Sequence, residues 1–253
     1  MSPPVLWQFR FSHFNEKVRW ALDWKRIAHV RRSLLPGLHI PRILWMTGQK
    51  SVPVLVLDGE VIHDSTRIIE RLERLRSEPA LYPGDAAERR RALALEDFFD
   101  EELGPYVRRA FFHELLPETD FAAAAFTIGC RAGSRNLYRA FFPAIRVVMR
   151  ADMRIDAAGA ARGNEKVRAA LDRIEAELQP SGYLVGDRFS VADLTAAALL
   201  APAVSPPEFP YPPPGPLPEP VARWRDSLAG RPALRWAAEM YRRHRGTSAE
   251  IAA

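Results

Sequence analysis

Along residues 1–80, short apolar runs alternate with segments whose apolar positions recur every three or four residues. Residues 5–9 read as a strand. Residues 15–25 read as an amphipathic helix that gathers Val18, Ala21 and Leu22 on one face. Residues 29–35 predict a second strand and residues 42–46 a short helix. Val54-Leu55-Val56-Leu57 and Glu60-Val61-Ile62 flank Asp58-Gly59, and two apolar runs joined by Asp-Gly are a strong hairpin signal. Ile68, Ile69, Leu72 and Leu75 then recur at helical spacing over residues 65–76. The predicted order is βαβαββα around a small mixed sheet.

Residues 77–85, with Pro79, Pro83 and Gly84, interrupt this pattern and read as a linker. The expected division is therefore an α+β domain over residues 1–80 and an all-helical domain over residues 86–253. Helices are expected over 86–112, within 121–153, and over 164–178, 190–200, 219–228 and 232–244. Residues 202–220 are proline-rich and include Pro212-Pro213-Pro214. Proline cannot donate the hydrogen bond a helix needs, so this run predicts an extended strap laid over the helical domain.

Composition narrows the class. Of 253 residues, 47% are hydrophobic and 26% charged, the balance of a globular protein rather than a disordered one. The start of the chain lacks a basic segment followed by an apolar run, so no secretory signal is expected. The stretch 194–204 contains Pro202 and is too short to span a bilayer, so no membrane partner is expected. The single cysteine, Cys130, excludes an internal disulfide and any metal site built on paired cysteines, and it reads as a small buried apolar residue. A reducing, cytoplasmic setting is the corresponding expectation. The net charge of +5 arises partly from Arg89-Arg90-Arg91 and Arg242-Arg243-His244-Arg245. Both runs fall in predicted helices and read as solvated faces, so no nucleic-acid partner is expected.

Three segments carry candidate chemistry. In Phe11-Ser12-His13-Phe14-Asn15-Glu16-Lys17-Val18, Ser12 stands just before a helix, where free N–H groups and the positive end of the dipole gather. A thiolate held there would be stabilised. An N-cap serine is the plainer alternative. In Gln49-Lys50-Ser51-Val52-Pro53-Val54, a proline at the mouth of a buried strand either starts that strand in the trans form or holds a cis turn. With the turn, Val52 presents its backbone to an extended peptide ligand. In Ile62-His63-Asp64-Ser65-Thr66-Arg67, the next helix opens with hydroxyls and free N–H groups suited to a carboxylate, or else is simply capped by Asp64 or Ser65.

Together "FSHFNEKVRWAL", "SVPVLVLDGEVIHDSTRII" and the later "GYLVGDRFSVADLTAAAL" resemble the soluble glutathione transferase superfamily. The resemblance covers nearly all of the first 80 residues plus one helix of the second domain. There Ser190 and Asp193 match a capping box, with Phe189 and Leu194 as its hydrophobic staple. The resemblance implies a thioredoxin-like first domain and glutathione as co-substrate, with no metal. Val52 before a cis Pro53 would pair with the cysteinyl part of glutathione. Asp64 and Ser65 would hold its γ-glutamyl end, and Gln49 or Lys50 would approach its glycyl carboxylate. Ser12 matches the position of the activating serine or cysteine. The second substrate, a small apolar electrophile, would lie between the domains against the first two helices of the second one. Phe98, Phe99, Tyr106, Phe111, Phe112, Phe141, Phe142 and Met149 are the available apolar side chains, of which two or three would meet it. A homodimer and a role in detoxification are also implied.

The sequence departs from the family where proline often follows the first active-site residue, here His13, and at the fourth position, here Asn15. His13 reads as a second donor to sulfur, a proton shuttle or an exposed loop histidine. Asn15 offers an amide donor to sulfur. With no cysteine at Ser12 or Asn15, disulfide exchange of the glutaredoxin kind lacks its nucleophile. Two functional classes follow: an enzyme that activates glutathione as thiolate, and a non-catalytic module on the same fold, for binding glutathione or another protein.

Overall fold

The structure is a computed structural model that describes residues 2–130 and 132–252. The outermost residues of the two expected domains, Met1 and Ala253, and Arg131 inside the expected helical stretch 121–153, lie outside the described residues.

Each apolar run of the first segment forms the element expected of it. In order these are β1 (Val5–Gln8), α1 (His13–Trp24), β2 (Val30–Ser33), α2 (Ile40–Thr47), β3 (Val54–Leu57), β4 (Glu60–His63) and α3 (Ser65–Leu75). The sheet order is β2-β1-β3-β4, with β1 parallel to β2 and the other two pairings antiparallel. Asp58 and Gly59 both take positive φ, 50° and 85°, which is the conformation a two-residue hairpin loop requires and Asp-Gly adopts readily. Register then places Leu55 opposite Ile62, both buried. Val18, Ala21 and Leu22 of α1 and Ile68, Ile69 and Leu72 of α3 join one core with Leu6, Leu55 and Leu57.

The remaining helices are α4 (Ala86–Glu102), α5 (Gly104–Leu115), α6 (Thr119–Phe126), α7 (Ala132–Met153), α8 (Ala157–Glu177), α9 (Val191–Leu199), α10 (Ala201–Val204), α11 (Glu219–Asp226) and α12 (Pro232–His244). Helix α9 is buried on every side and packs against both α1 and α4, so it fastens the sheet layer to the bundle. Its capping box is complete: the Asp193 carboxylate accepts from the Ser190 backbone at 2.9 Å and the Ser190 hydroxyl at 2.8 Å, and also from Leu184 N–H at 2.8 Å.

Four expectations are corrected. The single helix over 86–112 is two, because Gly104-Pro105 ends α4 and starts α5; Pro105 has no N–H for α4 and suits the first turn of α5. Pro202 lies in the first turn of α10 rather than in extended chain, where its missing donor does no harm. The strap beyond it reaches the sheet side of the molecule rather than the helical bundle alone. Gln8 Nε2 donates to the Tyr211 hydroxyl at 3.0 Å, and the Arg19 guanidinium lies 5.1 Å from the Tyr211 ring centre and 5.4 Å from that of Phe209. Cys130 is half-buried in the turn between α6 and α7, not a core residue.

The C-terminus clasps the first domain. Ile251 N–H donates to His29 carbonyl at 2.9 Å, and Arg245 reaches the fully buried Glu16 and Asp23 of α1. No described helix is long and apolar enough to cross a membrane.

Candidate active site

The three singled-out segments converge because β1 ends, β3 begins and β4 leads into α3 at the same edge of the sheet layer. Ser12 is the N-cap of α1; its backbone is extended, and its Oγ accepts from Asn15 N–H at 3.4 Å. The Val52–Pro53 peptide is cis, and the β1–β3 and β3–β4 ladders begin only at Val54, so Val52 lies beyond the register. Asp64 is the N-cap of α3, with φ of 77° and its carboxylate accepting from Thr66 N–H at 3.0 Å and Arg67 N–H at 3.2 Å.

Two cavities meet there. The first, about 630 Å³, is the more polar and takes Gln49, Pro53, Asp64 and Ser65 into its wall, with Asp97, Asp100 and Glu101 of α4 opposite. The second, about 540 Å³, is mostly apolar and is walled by Ser12, Phe9, Phe11, Phe111, Phe112 and Met149, with Lys50 and Asp152 at its edge. Phe14, Ser51, Val52 and Arg108 line both. Phe111, Phe112 and Met149 are three of the eight apolar side chains the sequence offers. Phe99 and Phe142 are sealed in the core and Phe141 is exposed. The apolar wall comes from α5 and α7, the second and fourth helices of the bundle rather than the first two, because α4 is turned toward the polar cavity and α9.

Most sequence-predicted residues come together. Val52, Pro53, Asp64 and Ser65 form one wall. Gln49 beside them folds onto the backbone of Ser51, its Nε2 donating to the carbonyl at 3.0 Å. Lys50 turns the other way, into an ion pair with Asp152. Ser12 faces the apolar cavity near Val52. Asn15 does not join them: its carboxamide is fully buried, has no hydrogen-bond partner among the described residues, and lines neither cavity.

His13 is not an exposed loop residue. It opens α1, is 4% exposed, and its Nε2 donates to the Gly104 carbonyl at 2.9 Å, since a carbonyl can only accept. Burial, followed by the nearby Arg108 charge, pushes its pKa down to about 3 against the opposing pull of that carbonyl. It is neutral at pH 7 and fixes α1 to the start of α5.

Sequence reasoning missed the acids of α4 and the group that supports them. Buried Lys17 of α1 pairs with Glu96 at 2.8 Å and Asp100 at 2.5 Å, and Thr66 at the start of α3 donates to Asp100 at 2.8 Å. Burial alone would lower the Lys17 amine, but Asp100 and Glu96 together hold it above its usual value. The network locks α1, α3 and α4 behind the polar cavity. Gly104 was missed as well: a Cβ there would lie 2.3 Å from the Phe14 ring, so only glycine lets that ring sit between the cavities. Gly104→Ala is expected to cost about 1–3 kcal/mol by overpacking and to displace Phe14 from both walls. A thermal unfolding shift combined with an unchanged far-ultraviolet spectrum would check it.

Comparison with known proteins agrees with this architecture. The family model described as "Glutathione S-transferase, N-terminal domain" matches residues 6–80, and "Glutathione S-transferase, C-terminal domain" matches residues 157–235. The chain belongs to the glutathione S-transferase family. It is 28% identical over 201 residues to "FtsZ-localized protein A" of Caulobacter vibrioides and 26% identical over 207 residues to "Glutathione S-transferase TCHQD" of Arabidopsis thaliana. Each match covers 78% of this chain and 75% of the relative. Among solved structures, a glutathione S-transferase of Methylobacterium radiotolerans in complex with glutathione sulfonate shares the fold with a TM-score of 0.57. It is 22% identical, covering 94% of this chain and 95% of that one.

Proposed function

We propose that this protein binds glutathione in the polar cavity and presents its sulfur, as thiolate, to a small electrophile in the apolar one. The observation that carries the reading is the meeting of the two cavities at Val52, beside Ser12 at the start of α1. The free backbone of Val52 takes the cysteinyl unit, and Asp64 and Ser65 take the γ-glutamyl end. Asp97, Asp100 and Glu101 supply the negative field its ammonium group needs. Gln49 or Lys50 approaches the glycyl carboxylate. A structural relative solved in complex with glutathione sulfonate supports glutathione as the ligand class. The reading extends to a homodimer in the cytoplasm that works in detoxification.

A free thiol with pKa about 8.5 is only ~3% thiolate at pH 7, and lowering it by about two units requires roughly 2.7 kcal/mol. A hydrogen bond donated by the Ser12 hydroxyl to the charged sulfur, with the helix terminus behind it, is of that order. The thiolate attacks the electrophilic carbon, a C–S bond forms and the leaving group departs with its electron pair. The thiol proton goes to solvent. Neutral, tethered His13 is a poor base here, and Ser12 serves as donor only.

Calorimetry with reduced glutathione, then turnover with an activated aromatic halide, tests the reading. Ser12→Ala is expected to raise the thiol pKa by about one to two units and to lower kcat at pH 7 by about 3- to 25-fold, the loss of thiolate this implies, while glutathione affinity changes little. A pH–rate profile identical to wild type would remove Ser12 from the role.

A second reading, a non-catalytic module, is supported by the relative named for its localisation with FtsZ rather than for a reaction. Glutathione binding without turnover toward any acceptor would favour it.

A further inference from the structure

The helical period sets Pro105, Arg108, Phe111 and Phe112 on one side of α5, and all four face the cavities. Arg108 is thus a cation placed in line with the apolar wall. Its neighbour Arg109 is satisfied: Nε donates to the Met153 carbonyl at 3.1 Å and the guanidinium lies 5.1 Å from the Tyr106 ring centre. Arg108 has no such support. Among the described residues it makes no ion pair and no hydrogen bond, and its Nε is sealed from water without an acceptor. The one acid whose charge it feels appreciably, Asp152 across the cleft on α7, is already paired with Lys50. Burial therefore pushes the guanidinium below its usual value, with Asp152 only partly offsetting it.

A guanidinium offers five donors in a planar fork that matches a carboxylate, and Arg108, half-buried with its Nε sealed, gives up hydration that no partner among the described residues replaces. An apolar wall interrupted by one unmatched fork fits a ligand with an apolar body and a single anionic end. A dianion would leave one charge unmatched, because the other cation of the cavity, Lys50, is already paired with Asp152.

We propose that the apolar cavity takes amphiphilic monocarboxylates, with the carboxylate on Arg108 and the apolar body against Phe111, Phe112 and Met149. The inference rests on the glutathione-dependent reading above and gives its second substrate a chemical class.

The test uses 4-phenylbutyrate and its uncharged analogue 4-phenylbutanol, titrated without glutathione into wild type, Arg108→Gln and Arg108→Lys and followed by tryptophan fluorescence. Wild type is expected to prefer the carboxylate by about tenfold to a hundredfold, the worth of a charge-assisted hydrogen bond pair. Arg108→Gln should bring the ratio of affinities to about one, and Arg108→Lys should restore part of it. Equal affinity of wild type for the two compounds would overturn the proposal even if no variant folds. A preference that survives Arg108→Gln, or parallel loss of both compounds, would overturn it too. Glutathione affinity is measured separately by calorimetry. If that binding is missing while the preference is present, the underlying reading fails and the anion site stands. Glutathione binding without the preference sinks the Arg108 assignment alone.

Discussion

Asp23→Ala is expected to lower the unfolding free energy by about 3–5 kcal/mol, the usual cost of removing one partner from a buried charge cluster. Asp23 on α1 is buried and accepts from Arg31 Nη2 with both oxygens, at 3.0 and 2.8 Å. It also accepts from Arg245 Nη1 at 2.9 Å and from Ala249 N–H at 2.8 Å. Without it two buried guanidinium groups lose a counter-charge, and Glu16, which accepts from both Arg19 and Arg245, cannot replace it. The chain end should come loose first, because Ala249 and the tail pairing with His29 lean on this carboxylate. Urea unfolding gives the loss, and faster cleavage after residue 245 by a non-specific protease reports the release. Breaking the exposed Glu70–Arg74 pair should change stability by less than about 0.5 kcal/mol, since water already solvates both groups. A similar loss at the two sites would contradict this ranking.

Acid is expected to weaken the fold through His13. Its pKa is pushed down to about 3 in the folded chain and is near 6.5 when unfolded. Below 6.5 the unfolded state binds the proton first. The stability that neutral His13 contributes is complete above that value and is lost as pH falls through the folded one. The loss reaches roughly 2–3 kcal/mol by pH 4.5 and is of order 5 kcal/mol when fully developed. The Asp193 carboxyl, which burial pushes up to about 6, acts with the opposite sign, and His244, which burial pushes down to about 4, acts with the same one, so the wild-type curve alone mixes several groups. Subtracting the curve of His13→Gln isolates His13: the variant costs about 1 kcal/mol at pH 7 for the altered contact with Gly104, but loses less on acidification. Parallel wild-type and variant curves between pH 7 and 4.5 would show that His13 takes up its proton without penalty, contrary to its burial.

The order of elements in the first domain could be read from local pattern, because its decisive signals act over a few residues. The Asp58-Gly59 loop needs positive φ, the α1 face repeats with the helix, and Ser190 and Asp193 cap within a single turn. The site was half legible. Ser12, Val52, Pro53, Asp64 and Ser65 stand in short segments whose backbone roles follow from the next few residues, and they meet in space. Asn15 looked equally suitable by chemistry, yet the rotation of α1 takes it away from both cavities.

What stayed hidden depends on partners far along the chain. Arg108 follows Pro105 and precedes Phe111 on one helix face, a pattern visible in the sequence. Nothing local says that this face meets a cavity rather than the core. His13 looked free until Gly104, 91 residues away, supplied a carbonyl and a missing Cβ made room for Phe14. The basic run at 242–245 read as a solvated face, yet Asp23 draws Arg245 back across 222 residues into a buried pair.

By itself the sequence determined the elements of the first domain, its turns and the family of the fold, because backbone preference and hydrophobic period are settled among neighbours. Only the tertiary structure decided which polar groups are sealed, which cation is left unmatched and which helices wall the second cavity. Those outcomes are set by desolvation and charge pairing between segments that only folding brings together.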